Sequence, residues 1–284
     1  MKVDKTIKLY MNGKFPRSES GRTYVVSSFP NGPSKDQKCT TEVCQSSPKD
    51  FRNAVEFAKK NGRTWQKSSA FLRSQILYRA AEMLQGKKAE FQQALVEAEI
   101  LSTERAEEDV VGAIDQLVYF AGFVDKFNAI ASAVNPVSGP FHNITTFEPI
   151  GTVVYVESEN GFSLQRLLGN MSAILCSGNA LIVLLDGVAG YFTSLLGEVF
   201  QTSDLPAGTL SLLSCDSEEL LEPIAKHRGV SSIGCEGLSP LAIQTLVQNG
   251  ASNLKRVHYQ ISQNGLQKIL TFTEGKTLWQ TVGY

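Results

Sequence analysis

The side chains able to do covalent chemistry in this 284-residue sequence are few and scattered: five cysteines and three histidines. A cysteine becomes a nucleophile only when a base or a positive charge beside it favours the thiolate. Cys176 stands in the small-residue turn Cys-Ser-Gly-Asn and reads as a small buried residue. Cys235 follows Gly234 where a turn could leave it accessible, yet no base lies beside it in sequence. Cys39 and Cys44 form a C-x4-C pair with no second pair or histidine nearby, whereas structural zinc needs four ligands. His142, His227 and His258 are isolated and make neither metal nor triad spacing. No catalytic residue and no metal site is assigned.

Ribose recognition has one foothold, although the sequence contains no G-x-G-x-x-G. Gly234 and Gly237, just before a helix start at Ser239-Pro240, read as turn residues. Asp186 closes the apolar run ALIVLLD, the place where an acidic side chain binds ribose in dinucleotide folds. A solvated turn aspartate is the other reading.

Elements must place these residues, and the chain changes rhythm along its length. Tyr10-Met11-Asn12-Gly13-Lys14-Phe15 reads as a hairpin around Asn-Gly. Residues 27–48 read as an exposed loop with one short strand. A helix beginning at Ser47 or Pro48 is expected to stop at Asn61-Gly62. Residues 69–96 hold two amphipathic helices with Phe71, Ile76, Leu77, Ala80, Met83 and Leu84 inward. A long helix from about Ser102 to Ile130 places Ala106, Val110, Leu117 and Phe120 inward and Glu107, Glu108 and Asp109 on its exposed face. After Asn135-Pro136 and a strand or hairpin over 137–149, five short strands alternate with helices: 152–156, 181–185, 209–213, 230–233 and 254–260. That alternation predicts an α/β fold, a Rossmann-like doubly wound parallel sheet.

The bulk numbers agree with an ordinary globular chain. Hydrophobic residues make up 42% and charged residues 19%, and the formal net charge is −1. Nothing basic points to nucleic acid, and the longest apolar run falls well short of the roughly 20 residues a membrane span needs. The N-terminus has no apolar signal segment, and the odd number of cysteines suits reduced thiols, so a cytoplasmic location is expected.

Several segments, in order, resemble the aldehyde dehydrogenase superfamily. They are the KLYMNGKF opening, Trp65 followed by FLRSQILYRAAEML, Phe147-Glu148-Pro149-Ile150-Gly151, Cys176-Ser177-Gly178-Asn179-Ala180, Asp204-Leu205-Pro206-Ala207-Gly208, and Asn253-Leu254-Lys255-Arg256-Val257. The segment Phe272–Thr277 resembles the last strand of that family's β oligomerisation arm. The whole is most similar to the truncated non-catalytic module of the class-sixteen type. The resemblance implies a division into 1–134 (hairpin and N-terminal helices), 135–149 (first arm strands), 150–262 (five-strand Rossmann-like part) and 263–284 (C-terminal arm strand). It implies a missing catalytic domain, because only a few residues separate the fifth strand from the arm strand.

The resemblance also locates the family's chemistry and what stands in its place. Where the family carries a glutamate base after its fifth strand, this sequence has Gln260, and an amide cannot take a proton at neutral pH. In the stretch Val183-Leu184-Leu185-Asp186 a leucine stands where the family's ribose-binding lysine would be. Asn160 is the nearest match to the family's oxyanion-donating asparagine, though anchoring on Phe162 would put Gly161 there instead, leaving Asn160 a loop-capping residue. The family's phosphate-side loop has two glycines at a helix N-terminus, where free N–H groups hold a pyrophosphate; Gly234 matches the first, Ser239 replaces the second, and Glu236 adds a negative charge there. Gly234, Asp186 and Asn160 are thus the vestigial cofactor-site residues, and weak NAD or NADP binding, or none, is expected. The expected function is a non-catalytic scaffold or regulatory subunit, pairing through the arm with a second copy or with an aldehyde dehydrogenase subunit, without nucleic acid or membrane. An NAD(P)-dependent aldehyde dehydrogenase, active alone or with a complete partner, and a nucleotide-sensing domain are the alternatives.

Overall fold

A computed structural model describes residues 6–28 and 39–282. Two short antiparallel strands, β1 (Thr23–Ser28) and β2 (Cys39–Cys44), precede the helices. Ahead of them Asn12 and Gly13 both adopt positive φ and close the expected tight turn, with Met11 and Lys14 bridged across it.

Helix α1 runs from Pro48 to Lys67. Its start is built by a capping box: the Ser47 hydroxyl accepts from Asp50 N, and Asp50 accepts in return from Ser47 N at 2.8 Å. Asn61-Gly62 does not end it. Gly62 lies inside the helix because a Cβ there would fall 2.7 Å from that of Ala180, so the glycine lets α1 approach the sheet closely. Gly62→Val is therefore expected to cost about 1–3 kcal/mol through overpacking, read from urea denaturation.

Helices α2 (Ala70–Gly86), α3 (Lys88–Glu97) and α4 (Thr103–Phe123) follow, and a separate short α5 (Phe127–Ala131) replaces the end of the single long helix expected. Ile76, Leu77, Ala80 and Leu84 are buried as the spacing predicts, but Phe71 is exposed at the start of α2. Asp109, expected on the open face of α4, is buried.

Strands β3 (Ala133–Val134) and β4 (Phe141–Pro149) lead into β5 (Thr152–Glu157). The units that follow are α6 (Leu164–Cys176), β6 (Ala180–Asp186), a 3-10 turn with α7 (Thr193–Thr202), β7 (Leu210–Cys215), α8 (Ser217–Lys226), β8 (Ser232–Glu236), α9 (Pro240–Ala251) and β9 (Arg256–His258). The five strands are parallel in the order β7-β6-β5-β8-β9, the doubly wound arrangement, reversing direction of winding between β5 and β8. Alternation along β5 sends Val153 and Tyr155 into the core with α2, α4 and α6, and Val154 and Val156 into the core with α1, α8 and α9.

A helix that the sequence reading missed, α10 (Gly265–Thr271), joins β9 to β10 (Thr273–Thr281). Strand β10 pairs antiparallel with β4 from Thr273 opposite Pro149 to Thr281 opposite Phe141, and β3 flanks β4 on the other side. This three-stranded arm is exposed on both faces: Leu278 and Trp279, neighbours that point to opposite sides, are 61% and 63% exposed.

Candidate functional site

In an open α/β sheet the natural binding crevice lies outside the carboxyl ends of the strands, where winding reverses. Here that place is between the loops after β5 and β8. Gly237, at φ +74°, comes so near the other loop that a Cβ on it would fall 3.0 Å from the Asn160 carbonyl oxygen and 3.1 Å from Ser158 Cβ. The two loops therefore close on each other.

Beneath them lies a buried polar network. Glu157 ends β5 opposite Glu236 of β8, and both reach Arg166 from the first turns of α6. Arg166 Nη2 donates to Glu157, while its Nε stands 3.3 Å from Glu236 Oε2 without an aligned hydrogen bond. The Tyr155 hydroxyl donates to Glu157 Oε2 at 2.8 Å and accepts from Asn170 Nδ2 at 2.7 Å. Burial raises the Glu157 carboxyl to about 7, with Arg166 pulling it back down. Lys268, buried on α10, has its amine lowered by burial while Glu236 works to raise it. The sequence signal for this network was a glutamate closing an otherwise apolar strand, with an arginine nine residues on in the next helix.

The anticipated residues have other engagements. Gly234 lies inside β8, where a Cβ would meet the rings of Phe272 at 3.0 Å and Tyr155 at 3.2 Å. Its lack of a side chain answers to those two rings. Asp186 accepts from Ser217 N at 2.9 Å and from Ser217 Oγ at 2.8 Å, at the start of α8. Asn160 is exposed, and its amide groups turn back to Ser158 Oγ. Gln260 is exposed two residues past β9, and Leu185 is buried in β6. Gly234, Asp186 and Asn160 share no hydrogen bond; Asp186 and Asn160 lie toward the carboxyl end of the sheet, and Gly234 lies in the middle of β8.

Helix starts on this side are already supplied. At α6, Asp109 of α4 accepts from Ser163 Oγ at 2.5 Å and from Leu164 N at 2.7 Å, so a carboxylate occupies the position an anion would take. At α9, Ser239 caps Ala242 N and Pro240 brings no N–H. Glu159 accepts from Val188 N at 3.3 Å at the 3-10 turn after β6. Glu159 and Asp186 bring negative charge to this rim, while Arg166 offsets the carboxyls of Glu157 and Glu236 beneath it.

Thiol chemistry is suppressed where it is described. Cys44, Cys176, Cys215 and Cys235 are free and buried. Burial pushes the Cys176 and Cys235 thiols up to about 12 and that of Cys215 well above its ordinary value. Cys235, expected at an accessible turn, is instead sealed within β8. The Cys39 side chain lies outside the described residues. Among the described residues no group of three metal-ligating side chains occurs, and no helix is long and apolar enough to cross a membrane.

Comparison with known proteins adds the lineage. A model of the aldehyde dehydrogenase family matches residues 27–270. DhaS of Bacillus subtilis (strain 168), provisionally named an aldehyde dehydrogenase, is 27% identical over 263 residues, which is 90% of this chain and 50% of DhaS. The solved NAD+ complex of an aldehyde dehydrogenase from Bacillus cereus aligns with a TM-score of 0.77 at 21% identity, covering 89% of this chain and 50% of that one. PnpE from Pseudomonas sp. WBC-3 aligns with a TM-score of 0.78 at 24% identity, over 89% of this chain and 50% of its own. The chain spans about half the length of the curated relative it matches.

Proposed function

From a chain that belongs to the aldehyde dehydrogenase family, we propose a non-catalytic assembly or regulatory subunit, one that docks through its β arm onto a second copy or onto a catalytically complete family member. The observation carrying this reading is the internal join. The chain passes from β9 to β10 through the single short helix α10, and β10 returns directly to β4. The described thiols are buried, and Gln260 holds the place after β9 where the resemblance would put a carboxylate.

A dinucleotide fits the carboxyl end of this sheet poorly. Its pyrophosphate would meet Asp109 at one helix start and Glu236 beside the other, while the loops of Asn160 and Gly237 fill the gap. The arm supplies the docking argument. Its outer strand β10 offers an unpaired edge among the described residues, with Leu278 and Trp279 exposed, and such edges are ordinarily covered.

The purified chain is expected to form no NADH from NAD and a panel of aldehydes, to give no melting shift with millimolar NAD or NADP, and to elute as a dimer or larger on a sizing column. Aldehyde-dependent NADH formation, abolished by changing one cysteine to serine, would favour a working dehydrogenase and overturn the proposal. A clean monomer at micromolar concentration that also captures no family member would remove the docking role.

A further inference from the structure

The opposite, amino end of the sheet carries the reverse charge. A cavity of about 420 Å³ opens there beneath the starts of β5 and β6 and beside the turn that leads into β8. One face of α1 forms a wall, contributing Lys59, Arg63 and Gln66. Arg228 and Ser231 come from the turn before β8, and none of the lining residues is acidic. Four glycines, Gly62, Gly151, Gly178 and Gly229, bring the backbone to the surface of the wall. Among the described residues neither Lys59, Arg63 nor Arg228 takes part in an ion pair.

Three further observations bear on what this cavity would hold. Behind Gly178 lies Arg73, whose Nε is buried and finds no acceptor. His227, beside the turn, is pushed toward its neutral form first by burial and then by Lys59, Lys255 and Arg52, with Glu56 opposing them. Lys255 donates to the carbonyls of His227 at 2.9 Å and Val230 at 2.6 Å, which pins the turn that presents Arg228. The cavity is thus a fixed concave surface with convergent cations, and its volume falls in the range of small-ligand sites.

The geometry points to an anion site at the amino end of the sheet, formed by Lys59, Arg63 and Arg228, that binds a small phosphate ester or polyphosphate. Guanidinium and ammonium groups converging on one cleft suit phosphate oxygens, and a chain of net charge −1 lacks the extended basic surface that a nucleic acid would need. This site is independent of the carboxyl-end crevice and of the docking role.

Isothermal titration of the full chain with pyrophosphate, with inorganic phosphate alongside, tests it. Saturable binding of pyrophosphate is expected, weakened about tenfold or more in Arg63→Glu and in Arg228→Glu. Both residues are exposed, so the variants should fold, which circular dichroism checks. Arg105→Glu, an equal charge reversal on an exposed position of α4 outside the cavity, should leave the binding unchanged. No binding at millimolar pyrophosphate, equal binding by Arg63→Glu and Arg228→Glu, an equal loss in Arg105→Glu, or binding of heparin alone would each overturn the assignment.

Discussion

Replacing Arg166 by methionine is expected to lower the unfolding free energy by about 3–5 kcal/mol at pH 8, because it leaves the Glu157 carboxylate buried without its cation. At pH 5 the loss should be much smaller. Burial holds the folded Glu157 carboxyl at about 7, against an ordinary value of 4.5, so at pH 5 it is already protonated in the fold and needs no counter-charge. In the unaltered protein the same shift favours the folded state fully below pH 4.5, and that contribution fades as the pH rises through 7. It amounts to about 3 kcal/mol over this window. Glu157→Gln should flatten the stability profile between these limits and make a second change at Arg166 cheaper. Urea denaturation at pH 5 and pH 8 provides the measurement, and an equal loss at both would show that Arg166 acts through packing alone. Glu236, which is partly wet, is expected to contribute less.

That network illustrates what the sequence could and could not say. The alternation of short apolar runs with helical spacing located all five parallel strands and their order of appearance, since the runs of β5, β6, β7 and β8 are buried on both faces, while β9 at the sheet edge is shorter and only half-buried. Helix ends were harder. Gly62 reads as a stop until Ala180 is seen against it, because the choice between a cap and a close approach depends on a residue far along the chain. Asp109 reads as solvated beside Glu107 and Glu108, and only the arrival of α6 turns it inward. Cys235 reads as a turn residue because nothing local marks β8 as extending to Glu236. The roles suggested for Gly234, Asp186 and Asn160 came from resemblance. In the fold each has a local partner that accounts for it: two aromatic rings, Ser217 and Ser158 respectively. Helix α10 escaped notice for want of length, although Asn264 caps it and Ile269 anchors it in the core.

Removing the Asp109 carboxylate has the second largest expected effect. Asp109→Ala should cost about 3 kcal/mol, because the buried Leu164 N–H and the Ser163 hydroxyl lose an ionised acceptor together. Asp109→Asn should recover part of this, since one amide oxygen can still accept from Leu164 N. Urea denaturation again reads the difference. If alanine and asparagine prove equally costly, the carboxylate's charge at the start of α6, rather than its hydrogen bonds, carries the effect. The helix concerned is buried along nearly its whole length, so a fault at its start is transmitted to the sheet through Leu164, Leu167 and Leu168.

The pairing of β10 with β4 also sets a timetable. The two strands are separated in sequence by the entire parallel sheet, so pairing them carries the closure entropy of the whole stretch between them unless the crossovers have already shortened it. The ribbon they form is thus expected to close last during folding and to open first during unfolding. Whatever grips it would prolong the lifetime of the folded chain while leaving the rate of its formation almost untouched.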